Sequence, residues 1–259
     1  MVVATTRTRA ESPAFLFGGG RSSEASFADM VVSIPPDANR KIGEVQWPQQ
    51  PPGNPETDFV TLKSEIITRD QATATFSRLL GRSHEREALV FVHGFNNRFE
   101  DAVYRFAQIL HDSGAGPDVA PILFTWPSAG NVFAYEYDRD SANYSRDALE
   151  KLLRYLQDDP EIKTISVLAH SMGNWVTLEA LRQMAIRDGR VAPKVKVVLL
   201  AIPTSTSVSR ANKLRRSDPT IRISCCSCPR MIARSLRRGR SGERRGWAPS
   251  IPMLSLTRA

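Results

Sequence analysis

Residues Ala169-His170-Ser171-Met172-Gly173 have the types and spacing of a nucleophile elbow, the G-x-S-x-G turn with alanine in the first position. An apolar run from Thr164 to Ala169 leads into it, and a helical pattern from Asn174 to Arg187 leads out. A sharp strand-to-helix turn needs small residues two positions either side of the serine, and it lifts the hydroxyl above the sheet. Backbone N–H groups at the start of the following helix then point to the place where an attacked carbonyl oxygen becomes negative. The chemistry this allows is nucleophilic attack by Ser171 on an acyl carbon. The alternative is a turn whose small residues serve packing alone.

A second segment fits the first. Glu87 to Val92 reads as a buried strand and runs directly into His93-Gly94-Phe95-Asn96-Asn97. Glycine at 94 permits a tight turn. The N–H of Phe95 and that of Met172, the residue after the serine, then form a pair of oxyanion donors. The His93 side chain is expected to be held by local hydrogen bonds, because only the backbone of this segment takes part in the chemistry.

The elements that must position these residues follow from periodicity. Helical spacing predicts helices over Asp70–Leu80, Phe99–Asp112, Ser141–Gln157 and Asn174–Arg187. Between them Ala88–Val92, Ala120–Trp126, Thr164–Ala169 and Lys194–Ala201 read as strands. Alternation of this kind implies an α/β fold, a mostly parallel sheet with helices on both faces. The site then lies at the carboxyl ends of the strands, where both motifs fall. Before Asp70 the chain mixes short β-like runs (Phe27–Ile34 and Phe59–Ile67) with Pro/Gly loops, which suggests a β extension over residues 1–69.

The motifs His-Gly-Phe-Asn-Asn, Phe-Thr-Trp-Pro-Ser, Ser-Ala-Asn-Tyr-Ser and Ala-His-Ser-Met-Gly-Asn occur in that order. With them the chain resembles an uncharacterised bacterial esterase/lipase-like group of the α/β-hydrolase superfamily, over roughly residues 1–201. The resemblance implies a triad in the order Ser, acid, His, with Ser171 as nucleophile and Phe95 and Met172 as oxyanion donors. It also implies small-molecule ester or other acyl substrates.

The triad cannot be completed from this sequence. The four histidines are His84, His93, His111 and His170, and none follows Ser171. After Ala201 the resemblance calls for Pro-Asp-Ile-Asp, whereas the chain reads Ile202-Pro203-Thr204-Ser205-Thr206, and only Asp218 and Glu243 remain as acids. Back-translation of Ile202–Ser207 with GC-rich codons (ATC CCG ACA TCG ACG TCG) and reading from the third base yields Pro-Asp-Ile-Asp-Val. The same shift applied to Ser224–Ser235 yields Val-Leu-Phe-Val-Ser-Gln-Asp-Asp-Arg-Ala-Leu, a strand followed by an acidic loop. Two recoveries in one frame point to a frameshift near codon 201, with later strands of the sheet missing or disordered.

Composition breaks at the same place. Residues 202–259 hold 13 Lys/Arg against 2 Asp/Glu, a net of +11, while residues 1–201 hold 22 against 25, a net of −3. Out-of-frame reading of GC-rich DNA is rich in arginine, so the basic tail is expected to be disordered rather than a specific nucleic-acid surface. Salt-sensitive nucleic-acid binding through the tail, or a ligand-binding protein that has lost its base, are the other readings of the chain. Cys225, Cys226 and Cys228 have no second cluster and no neighbouring histidine, which argues against zinc. No cofactor or metal is expected. No apolar run reaches the ~20 residues of a membrane span, and Met1–Arg7 lacks the features of a secretory signal. The default expectation is a cytoplasmic location.

Overall fold

A computed structural model describes residues 1–12, 15–201, 214 and 221–226. Its centre is an eight-stranded sheet: β1 (Val2–Arg9), β2 (Phe17–Ser33), β3 (Val60–Ile67), β4 (Glu87–Val92), β5 (Val119–Thr125), β6 (Thr164–His170), β7 (Val195–Ala201) and β8 (Arg222–Cys226). The strand order is β3-β2-β1-β5-β4-β6-β7-β8. From β1 to β8 every pairing is parallel, and β2 and β3 add antiparallel strands at one edge. The described helices are α1 (Arg69–Arg82), α2 (Phe99–Asp112), α3 (Tyr135–Asp158) and α4 (Gly173–Asp188). The α/β architecture is thus the expected one.

The reason lies in which way alternate residues face. β4 is buried at every position, as befits a central parallel strand covered on both sides. Val90 and Val92 face a core shared with α1, α3 and α4. Leu89 and Phe91 face a second core built on α2, whose Phe99, Ala102, Val103, Phe106 and Leu110 follow helical spacing. Each parallel crossover returns the chain to the amino end of the sheet. Every loop after a strand therefore opens at the other, carboxyl end.

Two differences from the sequence reading bear on the site. Residues 2–9 form a strand in the interior of the sheet, between β2 and β5. Its Thr5, Thr6 and Arg7 are buried, which is possible because each is hydrogen-bonded. The sheet also continues past Ala201. β8 pairs in parallel with β7, from Val197↔Arg222 to Ala201↔Cys226. Within the stretch expected to be mostly disordered or ill-packed, residues 222–226 are strand, their extended backbone meeting the open hydrogen-bonding edge of β7. The rest of the expected tail, apart from residues 214 and 221, lies outside the described residues. No described helix is long and apolar enough to cross a membrane.

Candidate active site

Ser171 sits in the bend between β6 and α4 with φ +51°, in the left-handed region that costs a non-glycine residue about 1–2 kcal/mol. The bend is fixed from both sides. The Ser171 N–H donates to the Ala201 carbonyl at 2.9 Å, and the Ser171 carbonyl accepts from the Asn174 N–H at 3.0 Å. Small residues are needed around it because neighbouring backbone comes so close. A Cβ on Gly173 would lie 2.6 Å from the Val92 carbonyl oxygen and closer still to that of His93. Glycine there lets the first turn of α4 rest on the end of β4.

The same close approach brings the β4 loop to the serine. A Cβ on Gly94 would stand 3.0 Å from the Ser171 Cβ and 2.8 Å from His170 Nδ1. The orientation of the next peptide follows from planarity. The Gly94 carbonyl is turned towards the His93 ring, with Nδ1 at 2.9 Å. In a trans peptide the N–H points opposite to the C=O, so the Phe95 N–H is aimed away from His93. Among the described residues, neither the Phe95 nor the Met172 N–H has an acceptor.

A buried ion framework secures this loop. The Arg7 guanidinium donates to the carbonyls of Asn97 (2.7 Å), Ser128 (2.9 Å) and Gly18 (3.0 Å), and to Thr125 Oγ1 (2.9 Å). The Asp138 carboxylate, fully buried in α3, accepts from the N–H of Asn96 (3.0 Å) and Ala129 (2.7 Å) and from the Ser128 hydroxyl (2.5 Å). Together they join the loops after β4 and β5. Burial pulls the Arg7 pKa down to about 10, against the pull of Glu100 and Asp138, so the guanidinium stays charged near neutrality. The sequence reading missed both residues. Arg7 carried a faint signal, a charge within a β-branched run, whereas Asp138 carried none.

The histidines divide by location. His84 precedes β4 and His111 ends α2, so both lie at the amino end of the sheet, opposite Ser171. His93 is buried and stacked on Trp126 with ring centroids 4.8 Å apart. Nδ1 faces the Gly94 carbonyl, and Nε2 faces both the N–H and, at 3.2 Å, the carbonyl of Trp126; the lowered pKa assigns the ring as the neutral Nδ1–H tautomer. Nδ1 donates to Gly94, and Nε2 accepts from the Trp126 N–H at 3.1 Å and from Thr125 Oγ1 at 3.0 Å. Burial first, and then the charge of Arg7, hold its pKa down at about 3. The expected structural use of this side chain agrees with that environment. His170 is half-buried and likewise lowered, by burial and then by Arg105. Among the described residues, no side chain is hydrogen-bonded to the Ser171 hydroxyl, and no three metal-ligating groups cluster together.

The neutral state of His93 sets a pH dependence. Below about pH 6.5 the unfolded chain binds a proton that the folded chain refuses until about pH 3. Stability therefore falls as the pH drops through that window, by about 1.4 kcal/mol per unit from this residue. His170, also lowered, acts with the same sign. Urea midpoints recorded between pH 7 and 4 should decline steadily, and a flat profile would contradict a neutral His93.

The rim beside Phe95 is apolar. Its ring meets Tyr135 edge-on at 5.3 Å, and Val132 and Phe133 stand out into solvent nearby in sequence.

Comparison with known proteins gives a consistent assignment. The family model described as "alpha/beta hydrolase of unknown function (DUF900)" matches residues 68–225, beyond the boundary at 201 drawn from the sequence. An uncharacterised protein of Nostoc sp. (strain PCC 7120 / SAG 25.82 / UTEX 2576) is 27% identical over 187 residues, which is 62% of this chain and 45% of that protein. The chain thus spans less than half the length of this curated relative. No solved structure matches significantly. On the extent of the family match, the chain belongs to this α/β-hydrolase family of unknown function.

Proposed function

We propose that the protein is a serine hydrolase of the esterase/lipase type, acting on small carboxylic esters, whose turnover is impaired in this chain. One observation carries the reading: Ser171 is held at φ +51° against Gly94, beside two backbone N–H groups with no acceptor among the described residues. A backbone strained at the serine of a strand–turn–helix bend is the arrangement that nucleophilic attack requires. The Ser171 oxygen would add to the ester carbonyl carbon, and Phe95 and Met172 would hold the resulting oxyanion. Collapse would expel the alcohol, and water would then release the acid. The apolar rim of Phe95 and Tyr135 suits the acyl or alkoxy part of such a substrate.

What this reading finds lacking is the base. No histidine follows Ser171 in the sequence, and the buried His93 is committed to Gly94, Thr125 and Trp126. The frameshift near codon 201 accounts for the loss of both the triad acid and the imidazole. A fluorophosphonate probe and p-nitrophenyl acetate test the proposal. Covalent labelling should be slow and confined to Ser171, and turnover should barely exceed that of Ser171→Ala. Rapid Ser171-dependent turnover would refute the impairment, and labelling unaffected by Ser171→Ala would refute the nucleophile.

The lack of a histidine after Ser171 in this sequence also favours a second reading, a ligand-binding protein without the chemistry. Saturable binding of a non-hydrolysable ester analogue, with no labelling of Ser171, would select it.

A further inference from the structure

A cavity of about 780 Å³ opens on the other flank of the molecule, between α1 and α3, over β1, β2 and β5. Neither Ser171 nor Phe95 nor Met172 lines it. Its size falls in the ~300–1,000 Å³ range of small-molecule sites. Val2, Ala4, Ile122 and Phe124 form an apolar floor on the strands. Ala72 and Phe76 of α1 form one wall, and Ala148, Leu152 and Leu156 of α3 the other. Thr73 of α1 and Tyr155 of α3 hydrogen-bond at 2.9 Å, a bridge that ties the two walls together.

The mouth is cationic. Arg9, Arg69 and Lys151 line the cavity, and among the described residues none of the three has an ion-pair partner. Of the two carboxylates there, Asp147 is held by Arg146 at 3.3 Å, which leaves Glu24. Arg69 lies over the Tyr155 ring at 5.7 Å. Lys151 is one helical turn before Tyr155, so it shares that stretch of the mouth.

We propose that this cavity binds a single-chain anionic amphiphile of the long-chain carboxylate class. The acid group sits between Arg69 and Lys151, and the hydrocarbon chain lies against the half-buried Phe27, Ile67, Ala148 and Leu152. Apolar floor and cationic mouth together select this ligand. A neutral chain would leave the cations unused, and a small anion would leave the half-buried apolar side chains of the cavity uncovered.

Calorimetric titration of the full chain with dodecanoate, kept below its micellar concentration at low salt, tests the site. One saturable site is expected, with dodecanol binding about tenfold more weakly. Lys151→Glu and Arg69→Glu should each weaken dodecanoate about tenfold and leave dodecanol unchanged. Ala148→Trp should fill the cavity and abolish both, with thermal melts confirming that it is folded. If that variant does not fold, the two charge reversals at exposed positions decide alone. No saturable site, equal affinity for the acid and the alcohol, or undiminished binding in folded Ala148→Trp would each overturn the proposal. None of these outcomes involves Ser171, so the hydrolase reading stands or falls separately.

Discussion

Shifting the reading frame after codon 201, so that the gene reads Pro-Asp-Ile-Asp and continues, is expected to raise ester turnover by at least about 10³-fold. Removing the base from a serine triad costs on the order of 10⁶ in turnover, whereas the oxyanion hole and binding alone leave roughly 10³ to 10⁴ over water. On the proposed reading, the parts that supply the smaller factor are the strained serine, the Gly94 approach and the two N–H groups, all present in this chain. Restoring an acid and a histidine should recover most of the larger one. The comparison is between the present and restored chains on p-nitrophenyl acetate, each with its Ser171→Ala control. Ser171→Ala should return the restored chain to the level of the present one. Two results would end the frameshift proposal: a gene whose shifted frame encodes no histidine, or a restored chain with no gain.

The second large effect concerns stability. Arg7→Met should lose about 3–5 kcal/mol in urea denaturation, since each buried acceptor left without its donor costs about 1–3 kcal/mol. Methionine fills much of the space but donates nothing, which strands the carbonyls of Gly18, Asn97 and Ser128 together. Arg7→Lys should recover only part of the loss, since an ammonium cannot span acceptors arranged around a planar guanidinium. A loss below about 1 kcal/mol for Arg7→Met would show that the loops at the carboxyl end do not depend on this residue.

These residues also mark where the sequence stops being informative. β4, β6, α2 and α4 were readable because their burial is written into local spacing: continuous apolar runs for buried strands and a 3.6-residue period for helices. The elbow was readable because its backbone demands small residues at fixed offsets. β1 was not read as a strand, since Thr5, Thr6 and Arg7 look polar. They are buried only because partners as distant in sequence as Thr125, Ser128 and Ser145 satisfy them. Asp138 was hidden for the same reason. It lies in α3, three residues before Ser141, where the helix read from the sequence begins, and its three donors belong to other loops. β8 was hidden by composition, because Arg222-Ile223-Ser224-Cys225-Cys226 is short and lies in a basic stretch.

The left-handed backbone at Ser171 bears on the history of the gene. A glycine there would fold more comfortably, by about 1–2 kcal/mol. A lineage that no longer uses the hydroxyl gains by letting the codon drift, and a lineage that uses it does not. Serine at this bend therefore behaves as a clock. Under the proposed frameshift after codon 201, strains that share it are expected to exchange the residue for glycine with time.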